Sequence, residues 1–286
     1  MRFLVLVFFL FSFGAHASRM VQSKIYDIDY GVGDEETFIM LTSGDVVWVK
    51  SSRNKSASGQ LELVKRLNQS KIFTLGDANE LLSVKEASIS EQTAVDEFSP
   101  DSIQEEHVPT VIADLATATA HFKAGRYLDK DSQCFNRAHV WTYEWFTKNQ
   151  IKSNKTWVFF TRRYIRKFKF EWWFHVAPSV AVSENGVVKE KIMDVKYARG
   201  PIDIKRWTDK FLLDDANCPM VSTYSDYANY PESGSCYTMR TSMYYFQPFD
   251  IESKEIWGTI RADWIDADVK SAYLEAFEEV FGGIAK

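Results

Sequence analysis

The stretch KFKFEWWFHVAPSVAVSENGVVKEKIMDV, residues 167–195, constrains the fold more than any other part of the chain. Two runs rich in Val, Ile, Phe and Trp flank Ser-Glu-Asn-Gly, so a strand, a tight turn and a returning strand are expected. The register of that hairpin decides which side chains meet across it. A four-residue loop pairing Val182 with Val187 sets His175 directly opposite Asp194, whereas a two-residue Asn185–Gly186 turn moves Asp194 one diagonal step away on the same face. Both registers bring an imidazole and a carboxylate within reach, and at this level both stay open.

The chain begins MRFLVLVFFLFSFGAHA. Arg2 supplies a short positive region, Phe3 to Phe13 an apolar one, and Ala15-His16-Ala17 a small-x-small cleavage site, the pattern of an export signal over residues 1–17. The apolar run is shorter than the roughly 20 residues that cross a bilayer, and no later segment reaches that length, so no membrane association is expected. The net charge is −5 over 286 residues and becomes more acidic once Arg2 is removed, which argues against a general nucleic-acid binder. With 45% hydrophobic residues the chain has ample material for a core, in one or two domains.

Export makes the cysteines informative. There are three, so at least one is unpaired in an oxidising compartment. Cys218 and Cys236 bracket a stretch rich in Asn, Pro, Ser, Gly and Tyr that would be loose unless tied, and they are expected to form a disulfide worth roughly 3 kcal/mol. Cys134 is then the free thiol. It lies where the polar DKDSQ gives way to an aromatic helical pattern, with Ala138, Trp141 and Trp145 continuing one face. Asp131 or Ser132 is the expected N-cap, which places Cys134 in the first turn. There the helix dipole and unpaired N–H groups favour the thiolate. The alternative, a buried cysteine acting as a small hydrophobe, stays open.

A nucleophilic cysteine needs a base and the base an orienting group. His16 leaves with the leader, His107 falls in an acidic stretch and His121 at a helix end. His139 is five residues beyond Cys134, which turns it about 500° around the helix and away from the thiol. His175 remains, with Asp194 across its hairpin.

Elsewhere the layout is coarser. A hairpin is expected over 37–50 around Ser43-Gly44-Asp45, a short helix over 59–69, a strand over 71–75 and a helix between Pro109 and Gly125. From Glu86 to Phe122 there are eight acids and no lysine or arginine, and Glu86 to Pro109 is read as an acidic linker or lid. TRRYIRKFKF, 161–170, is read as the solvated face of an edge strand, with guiding an acidic substrate or docking the acidic 86–109 segment as the alternatives. Of Trp172 and Trp173 at least one is expected in the core. Arg137 and His139 are given structural roles, and 264–282 is expected to be an amphipathic helix packed on the domain.

CFNRAHVW at 134–141, WWFHVAPSVAV at 172–182, KIMDVKYARGPIDIKRW at 191–207 and the Cys-flanked, Tyr-rich segment ending near MYYFQP resemble the bacterial protein-glutaminase family, secreted enzymes that deamidate glutamine side chains in proteins. The resemblance covers roughly residues 125–250. It implies an α+β fold with a papain/transglutaminase-like core, the nucleophile at a helix N-terminus packed on an antiparallel sheet, plus a small N-terminal α+β segment. It also implies a catalytic triad of Cys134, His175 and Asp194, a cysteine thioester intermediate, and a glutamine-containing protein or peptide as substrate. The backbone N–H of Cys134 is the expected oxyanion donor. No cofactor and no metal are expected, since no HExxH, paired CxxC or phosphate loop occurs. Residues 109–286 would be the catalytic domain. Residues 18–108 stand where family members carry an inhibitory pro-region, so the chain's own N-terminal segment is a candidate partner; an accessory domain is the rival. A transglutaminase or cysteine peptidase using the same triad, or a catalytically silent secreted binding protein, are the competing functional readings.

Overall fold

The structure, a computed structural model, describes residues 18–31, 36–49, 61–66, 70–86, 107–228, 234–257 and 266–282. The leader expected at 1–17 and most of the acidic stretch expected at 86–109 lie outside the described residues. The fold is mixed α+β, built on a six-stranded sheet.

That sheet contains β8 (Asn154–Phe160), β9 (Phe174–Glu184), β10 (Val187–Ile192), β11 (Met220–Val221) and β12 (Cys236–Ser242), in the order β10-β9-β8-β12-β11. The short β7 (Val111–Ile112) pairs with β9 in parallel, beyond the end of β8. The opening hairpin is β9–β10. Glu184 pairs with Val187 and Ser179 with Ile192, so the shorter of the two registers is the one adopted. Asn185 and Gly186 both have positive φ, 52° and 79°. A two-residue turn of that hand matches the twist of the strands, and Asn-Gly is the dipeptide that tolerates it. The first strand starts at Phe174, later than 167.

Helix α3 (Cys134–Asn149) packs across β9, with Ala138, Val140, Trp141 and Trp145 all buried in the main core. Burying side chains of this size contributes roughly 1.5–3 kcal/mol each. Before it comes α2 (Leu115–Ala124), started by Asp114, whose carboxylate accepts from the Thr117 N–H at 2.7 Å. After it, on its outer side, lies α8 (Asp266–Phe281), where Tyr273 stacks on Tyr143 at 4.3 Å and donates to Glu144 at 3.1 Å. Cys218 and Cys236 form the disulfide expected for the Tyr-rich stretch.

The segment 161–170 is not an edge strand. It forms α4 (Arg162–Phe168), with Thr161 capping the Tyr164 N–H at 3.2 Å and Tyr164 and Ile165 buried. The threonine cap and the buried pair on one face outweigh the strand-like composition. Nor do its cations face water alone: Arg162 pairs with Asp27, Arg166 with Asp29, Lys169 with Glu36 and Lys167 with Asp214. Three of these four carboxylates belong to the N-terminal segment, so the basic run docks acids from 27–36 instead.

Among the described residues, that segment forms two three-stranded antiparallel sheets and a helix. β1 (Arg19–Ser23), β5 (Lys71–Leu75) and β6 (Leu81–Glu86) make one sheet in the order β1-β5-β6. β2 (Ile25–Asp29), β3 (Thr37–Leu41) and β4 (Val46–Val49) make the other, and α1 covers residues 61–66. Alternation along β3 and β4 divides their side chains. Phe38, Met40, Val46 and Trp48 enter the main core, while Ile39, Leu41, Val47 and Val49 enter a second, smaller one. A strand buried on both faces reads as a continuous apolar run, which is what 38–41 and 46–49 each show.

The β3–β4 turn reaches the strand that carries His175. Trp173 donates its backbone N–H to Gly44 O and its indole N–H to Leu41 O, at 3.1 and 2.7 Å, and Val46 N–H donates to Glu171 O at 2.7 Å. Gly44 has φ +94°, and a Cβ there would sit 3.1 Å from the Phe174 ring, so no other residue fits without strain. Tyr26 stacks on Trp173 at 4.4 Å.

Candidate active site

Cys134 opens α3 as a free thiol, half-buried. The N-cap is Gln133 and uses no side-chain hydrogen bond, rather than the expected Asp131 or Ser132. The loop is held differently. Arg137, one turn into the helix and buried, reaches back and donates to the Ser132 and Lys130 carbonyls. Asp131 is drawn outward by Lys196 at 2.6 Å, so its carboxylate is not at the helix end. A guanidinium with several donors in a rigid fork can satisfy more than one loop carbonyl at once, which a small capping side chain cannot.

His175 lies in β9, opposite Val158 of β8, and is buried. Its Nε2 donates to Asp194 Oδ2 at 2.7 Å. Asp194 stands two residues past the end of β10, in the turn that follows. The turn aims further donors at the carboxylate: the N–H groups of Lys196 and Tyr197 reach Oδ1 at 3.2 and 3.3 Å, and Trp207 Nε1–H reaches Oδ2 at 2.9 Å. Trp207 comes from α5 (Ile204–Thr208) and is fully buried. With Nε2 committed to Asp194, the other ring nitrogen is the one available to Cys134, which lies near enough for its charge to act on the imidazole.

The structure therefore brings together all three residues singled out in the sequence. The other described histidines sit elsewhere. His139 Nδ1 and buried Lys155 Nζ are 2.8 Å apart, His107 Nε2 is 3.0 Å from Ser153 O, and His121 packs on Trp145. Arg137 and Trp207 are the functional candidates that sequence reasoning placed only as motif members or structural residues. Trp207 carried a usable signal: a buried indole N–H needs an acceptor, and Asp194 lies 13 positions before it.

Four aromatic rings enclose the imidazole: Trp172 stacked at 5.9 Å, Tyr197 edge-on at 5.2 Å, Trp207 at 5.6 Å and Phe211 at 4.7 Å. Of the paired tryptophans, Trp173 is core and Trp172 is half-buried against His175. Burial by itself disfavours the imidazolium, but the charges of Asp194 and Cys134 and the hydrogen bonds to both raise His175 to about 9. Burial likewise opposes ionisation of Asp194, yet His175 and the Trp207 hydrogen bond hold its carboxyl below the ordinary range.

A pH dependence of stability follows. His175 is raised from its ordinary 6.5, so the folded state binds this proton more tightly than the unfolded chain does. Its contribution, on the order of 3 kcal/mol, is fully present below about pH 6.5, declines as pH rises and is gone above about 9. Urea unfolding of the wild type is expected to shift to lower midpoints across that window, and the shift should shrink in His175→Gln. A wild-type midpoint that is flat from pH 6.5 to 9 would contradict the charged pair.

An α+β protein with a cysteine at a helix N-terminus beside a buried His–Asp pair is the class that fold and site define. Residues 108–211, the part holding Cys134, His175, Asp194 and Trp207, match the family model described as Glutaminase, so the resemblance to that family is established for this segment. No curated protein sequence matches the chain. Among solved structures it is similar to a crystal structure of pro-protein-glutaminase, at 14% identity and TM-score 0.53, covering 91% of each chain. A mutant of pro-protein-glutaminase is similar at 14% identity and TM-score 0.55, covering 93% of this chain and 94% of that one. At such identities the likeness is one of fold.

Proposed function

We propose that this protein is an exported enzyme that deamidates glutamine side chains of proteins, using Cys134, His175 and Asp194 as its catalytic triad on a papain/transglutaminase-like core. The single observation that carries the reading is the buried His175–Asp194 hydrogen bond with Cys134 acting on the same imidazole, within a segment matching the Glutaminase family.

The chemistry is acyl transfer. The Cys134 sulfur attacks the carboxamide carbon, and negative charge collects on the former carbonyl oxygen. The N–H of Cys134 is the donor best placed for that oxygen, because first-turn amides lack intrahelical acceptors. His175, protonated at neutral pH, gives its proton to the departing nitrogen as ammonia leaves and a thioester forms. The neutral imidazole then takes a proton from water as water attacks the thioester, so that glutamate is released and the sulfur leaves deprotonated beside the restored imidazolium, as it began. Asp194 keeps the ring in one orientation and stabilises the imidazolium. None of these steps requires a metal or organic cofactor.

The leader at 1–17 and the Cys218–Cys236 disulfide support export to an oxidising compartment. Residues 18–108 are assigned as a pro-region that restrains the catalytic domain at 109–286. Support comes from the β3–β4 turn bonded to 171–173 next to His175, and from similarity to pro-protein-glutaminase over nine-tenths of both chains.

One experiment tests activity and restraint together. Ammonia release from a glutamine-rich protein is measured before and after limited proteolysis of the N-terminal segment, with mass spectrometry of the products. Ammonia with glutamine-to-glutamate conversion, faster after proteolysis, is expected. Peptide cleavage or incorporation of an added amine without free glutamate would transfer the site to a peptidase or transglutaminase, and equal rates before and after would discard the restraint.

A further inference from the structure

Immediately beyond Asp194 the chain runs along a groove of about 640 Å³ whose charge is opposite to that of the protein as a whole. Arg126, Lys196, Arg199, Arg206 and Lys210 line it, against a single carboxylate, Asp209. Some of this charge is already answered. Lys196 meets Asp131 at 2.6 Å and Asp129 at 3.7 Å, Arg126 meets Asp129 at 3.7 Å, and Asp209 is held by Lys205 at 2.8 Å. Arg199, Arg206 and Lys210 are exposed, and among the described residues none of them has an ion pair.

The groove is tied to the site through Tyr197, which lines it and also sets its ring edge-on to His175 at 5.2 Å. Val195, the next residue after Asp194, lies in its wall as well. A polypeptide presenting a side chain to Cys134 would therefore run its neighbouring residues into this groove. Its volume is that of a site for several side chains, larger than one small anion needs. Among the described residues, no hydrogen bond or ion pair joins the N-terminal segment to these five cations.

We infer that this groove selects polypeptide substrates carrying acidic residues beside the target glutamine, with Arg199, Arg206 and Lys210 as the specificity-determining cations. The inference rests on the proposed deamidation, since it names the substrate class of that same site. Clustered like charges beside a cleft attract and orient an oppositely charged partner, and salt screens the attraction over about 10 Å at 0.1 M.

Binding separates the two ideas, because it needs no turnover. Full-length Cys134→Ala is titrated with fluorescent peptides holding one glutamine flanked by glutamates, by serines or by lysines. The acidic peptide is expected to bind about tenfold more tightly than the serine peptide, with the lysine peptide weakest, and the preference should collapse near 0.5 M salt. Arg199→Ala/Arg206→Ala/Lys210→Ala should bring the acidic and serine peptides to within about twofold of each other; all three positions are exposed, and circular dichroism checks the fold. Equal binding of acidic and serine peptides by the parent, or an undiminished preference in the triple variant, overturns the inference. So does displacement of the peptide by inorganic phosphate at equal concentration, which would make the groove a small-anion site. Ammonia release from the serine peptide by the proteolysed Cys134 enzyme reports separately on deamidation: release without acidic preference removes the groove alone, and preference without release removes the deamidase reading alone.

Discussion

Cys134→Ala is expected to lower ammonia release by about 10³-fold or more, with the fold and the disulfide intact. The side chain is half-buried at the first position of α3, where Gln133 provides no side-chain cap, so the sulfur has no evident part in starting the helix. Alanine is a better helix former and leaves Arg137 on the Ser132 carbonyl. The change should therefore separate chemistry from stability: kcat falls, while the unfolding midpoint above about pH 9, where the His175 contribution is already gone, moves little. Because the His175 charge is partly supported by Cys134, the pH dependence of stability should also weaken in this variant. Retention of more than about a tenth of wild-type activity would remove the sulfur from the mechanism.

Asp194→Asn should have the second largest effect, and of a different kind. Every donor around this carboxylate is an N–H. Oδ2 accepts from His175 and Trp207, and Oδ1 accepts from the backbone of Lys196 and Tyr197. An asparagine amide must turn its NH₂ towards one of these pairs, so two N–H groups, buried on the Oδ2 side and part-buried on the Oδ1 side, meet a donor whichever way it lies. Leaving buried donors unsatisfied costs about 1–3 kcal/mol each at most, so a loss of stability should accompany the loss of rate. The rate itself is expected to fall roughly 10²–10⁴-fold, because the imidazolium loses its counter-charge and the ring loses its orientation. Measuring kcat/KM from pH 5 to 9 together with urea unfolding checks both halves. A variant as active and as stable as wild type would mean that the carboxylate is a bystander.

Much of the site was legible in the chain because each part carries a local cause. Asn185-Gly186 admits a two-residue turn of only one hand, and that turn sets the side of the sheet shared by His175 and the residues approaching Asp194. Cys134 stood out because a polar stretch met a helical apolar pattern at that point. Where local signals competed, the reading erred. Residues 161–170 have the aromatic and β-branched content of a strand, but Thr161 could cap a helix, and burial of Tyr164 with Ile165 decided for it. Asp131 and Ser132 are good capping residues; that neither of them caps depends on where Lys196 and Arg137 lie, 65 and five positions away.

The residue types able to do the chemistry, the hairpin carrying one of them, and the pairing of Cys218 with Cys236 were all determined by the sequence alone, since each follows from short-range turn geometry, periodicity or composition. Only the tertiary structure decided that Trp207 would lock Asp194, that four aromatic rings would close around His175, and that the imidazole would hold its proton to about pH 9. Those properties depend on distances between groups far apart in the chain and on the exclusion of water between them, and neither is encoded by any one stretch of residues.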